Sequence, residues 1–293
     1  MDLAFYNKIK KLTIVAFFSD DELMNMIVLK GGNALDIIYK IAGRSSVDID
    51  FSIDNKIPDD KFEIIREKMV RTLSTTFNEN GYELIDFNFY ERPCQITEDM
   101  ADFWGGYRVE FKIIEKEKFG KLKNNADNLR RHALEVRSDH KKTFLIDISK
   151  FEYCEGKIDK EFEGLTIYVY SPEMILCEKI RAICQQMPEY GKIVKSNSQS
   201  ARARDFYDIY IIIEKLNIDI TLTKNRALLE AIFEAKKVPL YLMDKISEYR
   251  EFHRPDFQSV KDTVLPTEEL KEFDFYFDYV VEKCQMLKPL WVK

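Results

Sequence analysis

Two carboxylates stand side by side in Asp48-Ile49-Asp50, downstream of Lys30-Gly31-Gly32-Asn33-Ala34-Leu35. On an extended strand, residues two apart share a face. Asp48 and Asp50 would then project together, roughly 6–7 Å apart. Carboxylates this close repel each other and lose hydration if partly buried, and a divalent cation removes both costs. Mg2+ takes oxygen ligands, commonly one or two carboxylates, and fills its other positions with water and substrate phosphates. Gly31 and Gly32 let backbone approach a phosphate closely. The helix that follows them offers free N–H groups and a positive dipole end. The combination suits Mg2+ (or Mn2+) holding a nucleoside triphosphate. An acidic pair of this kind is often only a solvated strand edge. The glycine pair upstream is what supplies a phosphate partner.

The flanking pattern predicts the elements that position these groups. Residues 47–53 read as a strand, with Val47, Ile49, Phe51 and Ile53 on one side and Asp48, Asp50 and Ser52 on the other. Residues 26–29 read as a short buried strand or helix end stopped by the glycines, and 33–42 carry a helical period. Residues 2–25 and 58–77 are expected to be helical. Strands are expected at 82–90, 107–114, 142–149 and 164–170, with a charged helix over roughly 121–137. From Ser171 the pattern is helical: 171–187, 201–216, 223–236, 239–252 and 267–287, with a polar loop at 188–200. Ser171 before Pro172 is a good helix start. The expected fold is an α/β (α+β) N-terminal domain, residues 1–170, with a mixed sheet. An all-helical C-terminal domain, residues 171–293, completes the cleft.

The chain of 293 residues is 45% apolar and 33% charged, ordinary for a globular protein of one large domain or two. A net charge of −6 argues against coating nucleic acid through global positive charge. A local basic groove is still possible, and Lys121, Lys123, Arg130, Arg131, Arg137, Lys141 and Lys142 offer one such stretch. The five cysteines form no CxxC pair and the three histidines are scattered. Neither a disulfide framework nor structural zinc is expected, and a reducing cytoplasm fits best. No apolar run is long enough to cross a bilayer, so no membrane partner is expected.

The segment Leu29-Lys30-Gly31-Gly32-Asn33-Ala34-Leu35, then Tyr39, Arg44, Ser46 and Asp48-Ile49-Asp50-Phe51, resembles the opening motif of the AbiE-type nucleotidyltransferase toxins. These belong to the DNA polymerase β-like nucleotidyltransferase superfamily. Where the family usually carries Thr or Ser, this chain has Asn33 or Gly32; an amide could replace the hydroxyl at the phosphate. Downstream, Glu178-Lys179-Ile180-Arg181-Ala182 and Arg202-Ala203-Arg204-Asp205-Phe206-Tyr207-Asp208 resemble the family's second signature.

The resemblance implies an enzyme that moves a nucleoside monophosphate from a triphosphate to an acceptor hydroxyl. Some relatives modify the 3′ end of tRNA, which suggests RNA as acceptor, and the resemblance implies a two-gene toxin–antitoxin or phage-abortive system with a cognate antitoxin as partner. Asp48 and Asp50 would hold metal. Lys30, Gly31, Gly32, Asn33, Arg44, Ser46, Lys179, Arg204 and Asp208 would meet the nucleotide. Asp205, the favoured member, or Asp208 would hold Lys179 or an arginine in place or contact the nucleotide; alternatively Asp205 pairs with Arg202 and stabilises its helix, and both readings stay open for Asp208. The superfamily's third carboxylate falls on Asp147 ahead of Glu110, because Arg108, Glu110 and Lys112 read as a solvated charge stripe. Two other classes remain open: a nucleotide-binding regulatory module without transfer activity, and a transferase acting on a small molecule of antibiotic type.

Overall fold

The acidic strand lies at the centre of a sheet whose two faces have opposite character. The computed structural model describes residues 3–41, 43–44, 48–136, 141–195, 199–265 and 268–292. Its strands are β1 (Val28–Lys30), β2 (Ile49–Ser52), β3 (Tyr82–Arg92), β4 (Gly106–Glu115), β5 (Phe144–Ser149), β6 (Ile158–Phe162) and β7 (Leu165–Val169). They form one seven-stranded sheet in the order β3-β4-β5-β2-β1-β7-β6. β2 runs parallel to β5 and antiparallel to β1, and β1 runs parallel to β7, so the sheet is mixed as expected.

One face is apolar. Ile49, Phe51 and Ile53 are buried there, and the Phe51 ring lies 5.5 Å from Phe17 and 6.2 Å from Phe18 on the helix Leu3–Phe18. Phe111 of β4 packs on Phe144 of β5 and on Phe77 of the helix Phe62–Glu79. Each such ring contributes roughly 1.5–3 kcal/mol by leaving water. This packing fixes the register of β2, because a slip of one residue would turn its carboxylates into the core.

The other face carries the charges, and helices of the second half reach it. The helix Pro172–Cys184 is capped by Ser171, whose Oγ accepts from Met174 N at 3.2 Å. The helix Ala203–Leu216 starts on two tertiary contacts. Arg202 N donates to His253 Nδ1 and Ala203 N donates to an Asp256 carboxylate oxygen, both at 3.0 Å. One connected cluster of buried apolar side chains runs through both halves. Among the described residues no helix is long and apolar enough to cross a membrane.

Several expected elements differ in detail. The helical segment after the glycines is a single turn, Gly31–Asn33, continued as a π-helix over Ala34–Ile38, and stops earlier than expected. The charged helix near 121–137 is two short helices, Lys116–Leu122 and Ala126–His132. The segment at 239–252 is largely 3-10 helix, Leu240–Tyr249. β6 was not anticipated, because its centre, Asp159-Lys160-Glu161, is exposed and charged, and backbone pairing with β7 alone defines it.

Candidate active site

Strand pairing lines up the chemistry. Lys30 of β1 faces Asp50 of β2, Asp50 faces Asp147 of β5, Asp147 faces Arg108 of β4, and Arg108 faces Tyr90 of β3. Directly paired residues share a face, so these five side chains form one row across the charged side of the sheet. All but Tyr90 line a cleft of about 820 Å3, together with Gly31, Gly32 and Asp48 from the sheet half and Lys179, Arg204 and Asp205 from the helical half.

Gly31 has φ +68°, and a Cβ there would sit 3.1 Å from Asp50 Oδ2. Glycine is required twice over, by conformation and by the carboxylate against its Cα. The Asp50 carboxylate has no hydrogen-bond or ion-pair partner among the described residues. Its carboxyl is pushed up to about 7 by burial, against the pull of Lys30 and with repulsion from Asp147, Asp48 and Glu178. A half-buried acid resisting ionisation in this way is the electrostatic setting that a bound cation would relieve. Asp48 is exposed at the edge of the cleft.

Two ion clusters frame this row. In the first, Lys30 Nζ lies 2.6 Å from Glu178 and 3.3 Å from Glu152, and donates to Ser149 Oγ at 3.2 Å. Glu152 also binds Arg181 at 2.8 Å and has Lys236 at 3.7 Å. Burial opposes the Lys30 charge, but Glu152 and Glu178 outweigh it and raise the ammonium above its usual range. Lys236 is lowered to about 8 by burial, with Glu152 only partly compensating. In the second cluster Arg44 makes a bidentate pair with Asp208 at 2.8 and 2.6 Å. Lys179 lies 2.8 Å from Asp205 and 2.7 Å from Asp208. Burial works against the Lys179 charge and is overcome by these two carboxylates.

The model of the AbiEii nucleotidyl transferase toxin family, of type IV toxin–antitoxin systems, matches residues 13–279. The chain belongs to this family. Its class is nucleotidyl transfer, and its setting is a toxin–antitoxin system, which implies an antitoxin partner. No curated protein matches the chain. It is similar to the crystal structure of a proposed nucleotidyltransferase from H. pylori, at 14% identity and a TM-score of 0.47, over 98% of this chain and 95% of that one. JHP933 from Helicobacter pylori gives the same identity and TM-score over 98% and 92%. An antigenic nucleotidyltransferase-like protein from Paracoccidioides brasiliensis gives 14% and 0.36 over 87% and 94%.

Within this AbiEii chain the two sequence motifs meet across one cleft, but several residues do other work than expected. Asn33 is fully buried, and its amide donates to the Asp48 backbone carbonyl, so it holds the acidic segment instead of facing a phosphate. Arg44 lines the cleft and pairs with buried Asp208, so the two also brace the helix Ala203–Leu216. Lys179 lines the cleft but is held by two carboxylates, so Asp205 and Asp208 position it. Ser46 lies outside the described residues.

The three acids expected to share a metal do not converge. Among the described residues no three His, Cys, Asp or Glu side chains form a group that could hold an ion. Arg108 takes both oxygens of Asp147, each at 2.8 Å. Glu110, the alternative third acid, does not line the cleft and accepts from the Tyr90 hydroxyl at 2.7 Å.

Among the described residues the basic stretch near 121–142 contributes none to the cleft lining, and Arg130 is engaged by Asp86; Arg137 lies outside the described residues. Sequence reasoning also passed over Arg108, whose place in a charge stripe hides that its neighbour across the sheet is Asp147. It passed over Glu152 and Lys236 too. Nothing local marks them, because their partners lie on other elements.

Proposed function

We propose that this protein is a Mg2+-dependent nucleotidyltransferase that transfers a nucleoside monophosphate from a nucleoside triphosphate to the terminal hydroxyl of an RNA, with a tRNA 3′ end as the first acceptor to test. The observation that carries this reading is the row Lys30–Asp50–Asp147–Arg108 on the cleft floor, with Gly31 against Asp50. Asp48 and Asp50 suit a divalent ion that keeps water and phosphate oxygens in its remaining positions. When bound, that ion would neutralise charge on the triphosphate and on the attacked phosphorus centre.

The chain's own residues do the rest. The backbone N–H groups of Gly31 and Gly32 approach the triphosphate. Lys179, kept cationic by Asp205 and Asp208, and Arg204 offset charge on the departing pyrophosphate. Arg108 fixes Asp147, which takes the proton of the acceptor hydroxyl. The acceptor oxygen bonds to the α-phosphorus as the bond to pyrophosphate breaks. Residues 171–293 act as a unit that closes the cleft over the sheet.

The test is incubation with each labelled nucleoside triphosphate, Mg2+ and total RNA. Label should enter RNA, and Asp48→Ala and Asp50→Ala should each remove it while the fold survives. Nucleotide binding without incorporation would instead identify a regulatory module. Label on an aminoglycoside-type small molecule, with RNA untouched, would identify a small-molecule transferase.

A further inference from the structure

A second cavity, of about 470 Å3, opens at the edge of the sheet, beside the cleft. Its walls include Phe62, Phe89, Tyr90 and Tyr107. Phe62 and Phe89 are stacked, with centroids 4.7 Å apart and planes 11° from parallel, and Phe89 lies 5.3 Å from Tyr107. Tyr107 is among the residues that line both spaces. Its hydroxyl accepts from Ile57 N at 3.0 Å, which fixes the ring.

The rim is locally neutral. Asp59 is paired with Lys56 at 2.7 Å, Glu63 with Arg66 at 3.5 Å and Glu91 with Lys150 at 2.7 Å. An aromatic cavity whose rim carboxylates are already paired favours a planar, uncharged group over a cation or a phosphate.

The row of side chains ends at Tyr90 on the edge strand β3, and the Phe89 and Tyr107 side chains lie on the other face, round that edge. Asp147, Arg108 and Tyr90 sit on three adjacent strands, so Tyr90 lies about 10 Å from Asp147 by strand spacing. That distance suits one or two nucleotides of an extended single strand. β3 is the edge strand, so a polymer leaving over Tyr90 can turn round it. Arg92, two residues further along β3, is exposed, lines the cleft and has no carboxylate partner among the described residues. It stands where a backbone phosphate would pass.

We propose that the cavity lined by Phe62, Phe89, Tyr90 and Tyr107 receives a nucleobase of a single-stranded polynucleotide acceptor, one or two nucleotides before the hydroxyl that is attacked. This rests on the nucleotidyl-transfer reading above. The site selects a polymer end over a small molecule, because only a polymer can fill the cleft and the cavity together.

The test uses short single-stranded RNAs ending in CCA, intact or with an abasic residue at either of the two positions before the terminal nucleotide. With the wild-type protein, one of these replacements should lower kcat/KM by about tenfold, the scale of losing one stacked base. With Phe62→Leu, which removes the stacking face and keeps an apolar side chain, the intact-to-abasic ratio should fall to near one. Tyr90→Leu gives the same comparison if Phe62→Leu does not fold. An abasic penalty that is the same in wild type and both variants would overturn the cavity's role while leaving transfer intact. Wild type that labels no RNA would overturn the underlying reading. Fluorescence anisotropy of the same RNAs then judges the cavity separately, since equal affinity for intact and abasic strands would overturn it too.

Discussion

At Gly31 a single methyl group is enough to disturb the site. The residue holds φ +68°, and an added Cβ would come within 3.1 Å of Asp50 Oδ2. Gly31→Ala therefore combines a left-handed backbone cost of about 1–2 kcal/mol with displacement of the carboxylate. It should lower the melting temperature by a few degrees and transfer by about tenfold or more, read by calorimetry and nucleotide incorporation on the same preparation. Asp50 itself gives a signed prediction. Its folded-state value of about 7 lies above the roughly 3.9 of an unfolded Asp. Between those values only the folded protein holds the proton, so stability is greatest on the acid side and falls as pH rises through 7. Asp50→Asn has no charge to bury. In EDTA it should exceed wild type by on the order of 4 kcal/mol at pH 8 and lose that advantage as pH falls to about 4, measured by urea unfolding. A stability difference that is flat with pH would mean that Asp50 is ionised and solvated. Added Mg2+ should narrow the gap at pH 8, since it stabilises the wild-type carboxylate alone.

The element that brings the second motif into the cleft is the helix Ala203–Leu216, and its start depends on a histidine far along the chain. His253 is buried, and its Nδ1 accepts from Arg202 N. Burial lowers its imidazole to about 4, with Asp205 pulling the other way and Arg202 adding to the lowering. An unfolded histidine titrates near 6.5. As pH falls from about 6.5 to 4, the unfolded chain takes a proton that the folded one refuses, so stability is full above that window and is lost within it. The expected loss is on the order of 3 kcal/mol. His253→Gln should remove most of this slope, and a slope unchanged in the variant would assign the acid sensitivity elsewhere. Much of this scale was legible in the sequence. The Ser171-Pro172 start, the alternation around Asp48 and Asp50, and the order of strands and helices follow from local periodicity and capping. β6 was not legible, because its central residues are charged. The π-helical turn after Gly32 was not, because periodicity does not separate it from an α-helix. The partner of Asp147 was not, because cross-strand pairing is set by tertiary register.

Across the whole molecule the two halves are joined beneath the cleft by buried charge as well as by apolar packing. Glu152, which follows β5, is the hub: it binds Arg181 of the helix Pro172–Cys184, Lys30 of β1, and Lys236 beyond the helix Thr223–Glu234. Burial opposes its charge, and Arg181, Lys236 and Lys30 overcome this and hold the carboxyl well below its usual range. Lys236 also donates to the backbone carbonyls of Phe103 and Lys150, so the cluster fixes the cleft wall near Trp104. With Glu152→Gln, three buried cations would lose their shared carboxylate and keep only Glu178 and the more weakly acting Asp50. Removing one partner of a buried ion pair typically costs 3–5 kcal/mol, about that much is expected here, and urea unfolding would measure it. The pH dependence separates this from a packing defect. Lys236 already titrates near 8, and without Glu152 it would lose its strongest attractive partner and release its proton more readily. At pH 9 the variant can relieve the repulsion by shedding that proton, so the difference from wild type should be smaller at pH 9 than at pH 7. A deficit that stays constant with pH would mean that the cluster does not carry the charge balance described here. Loss of nucleotide incorporation with no loss of stability would give Glu152 a role at the substrate instead of at the joint between the halves.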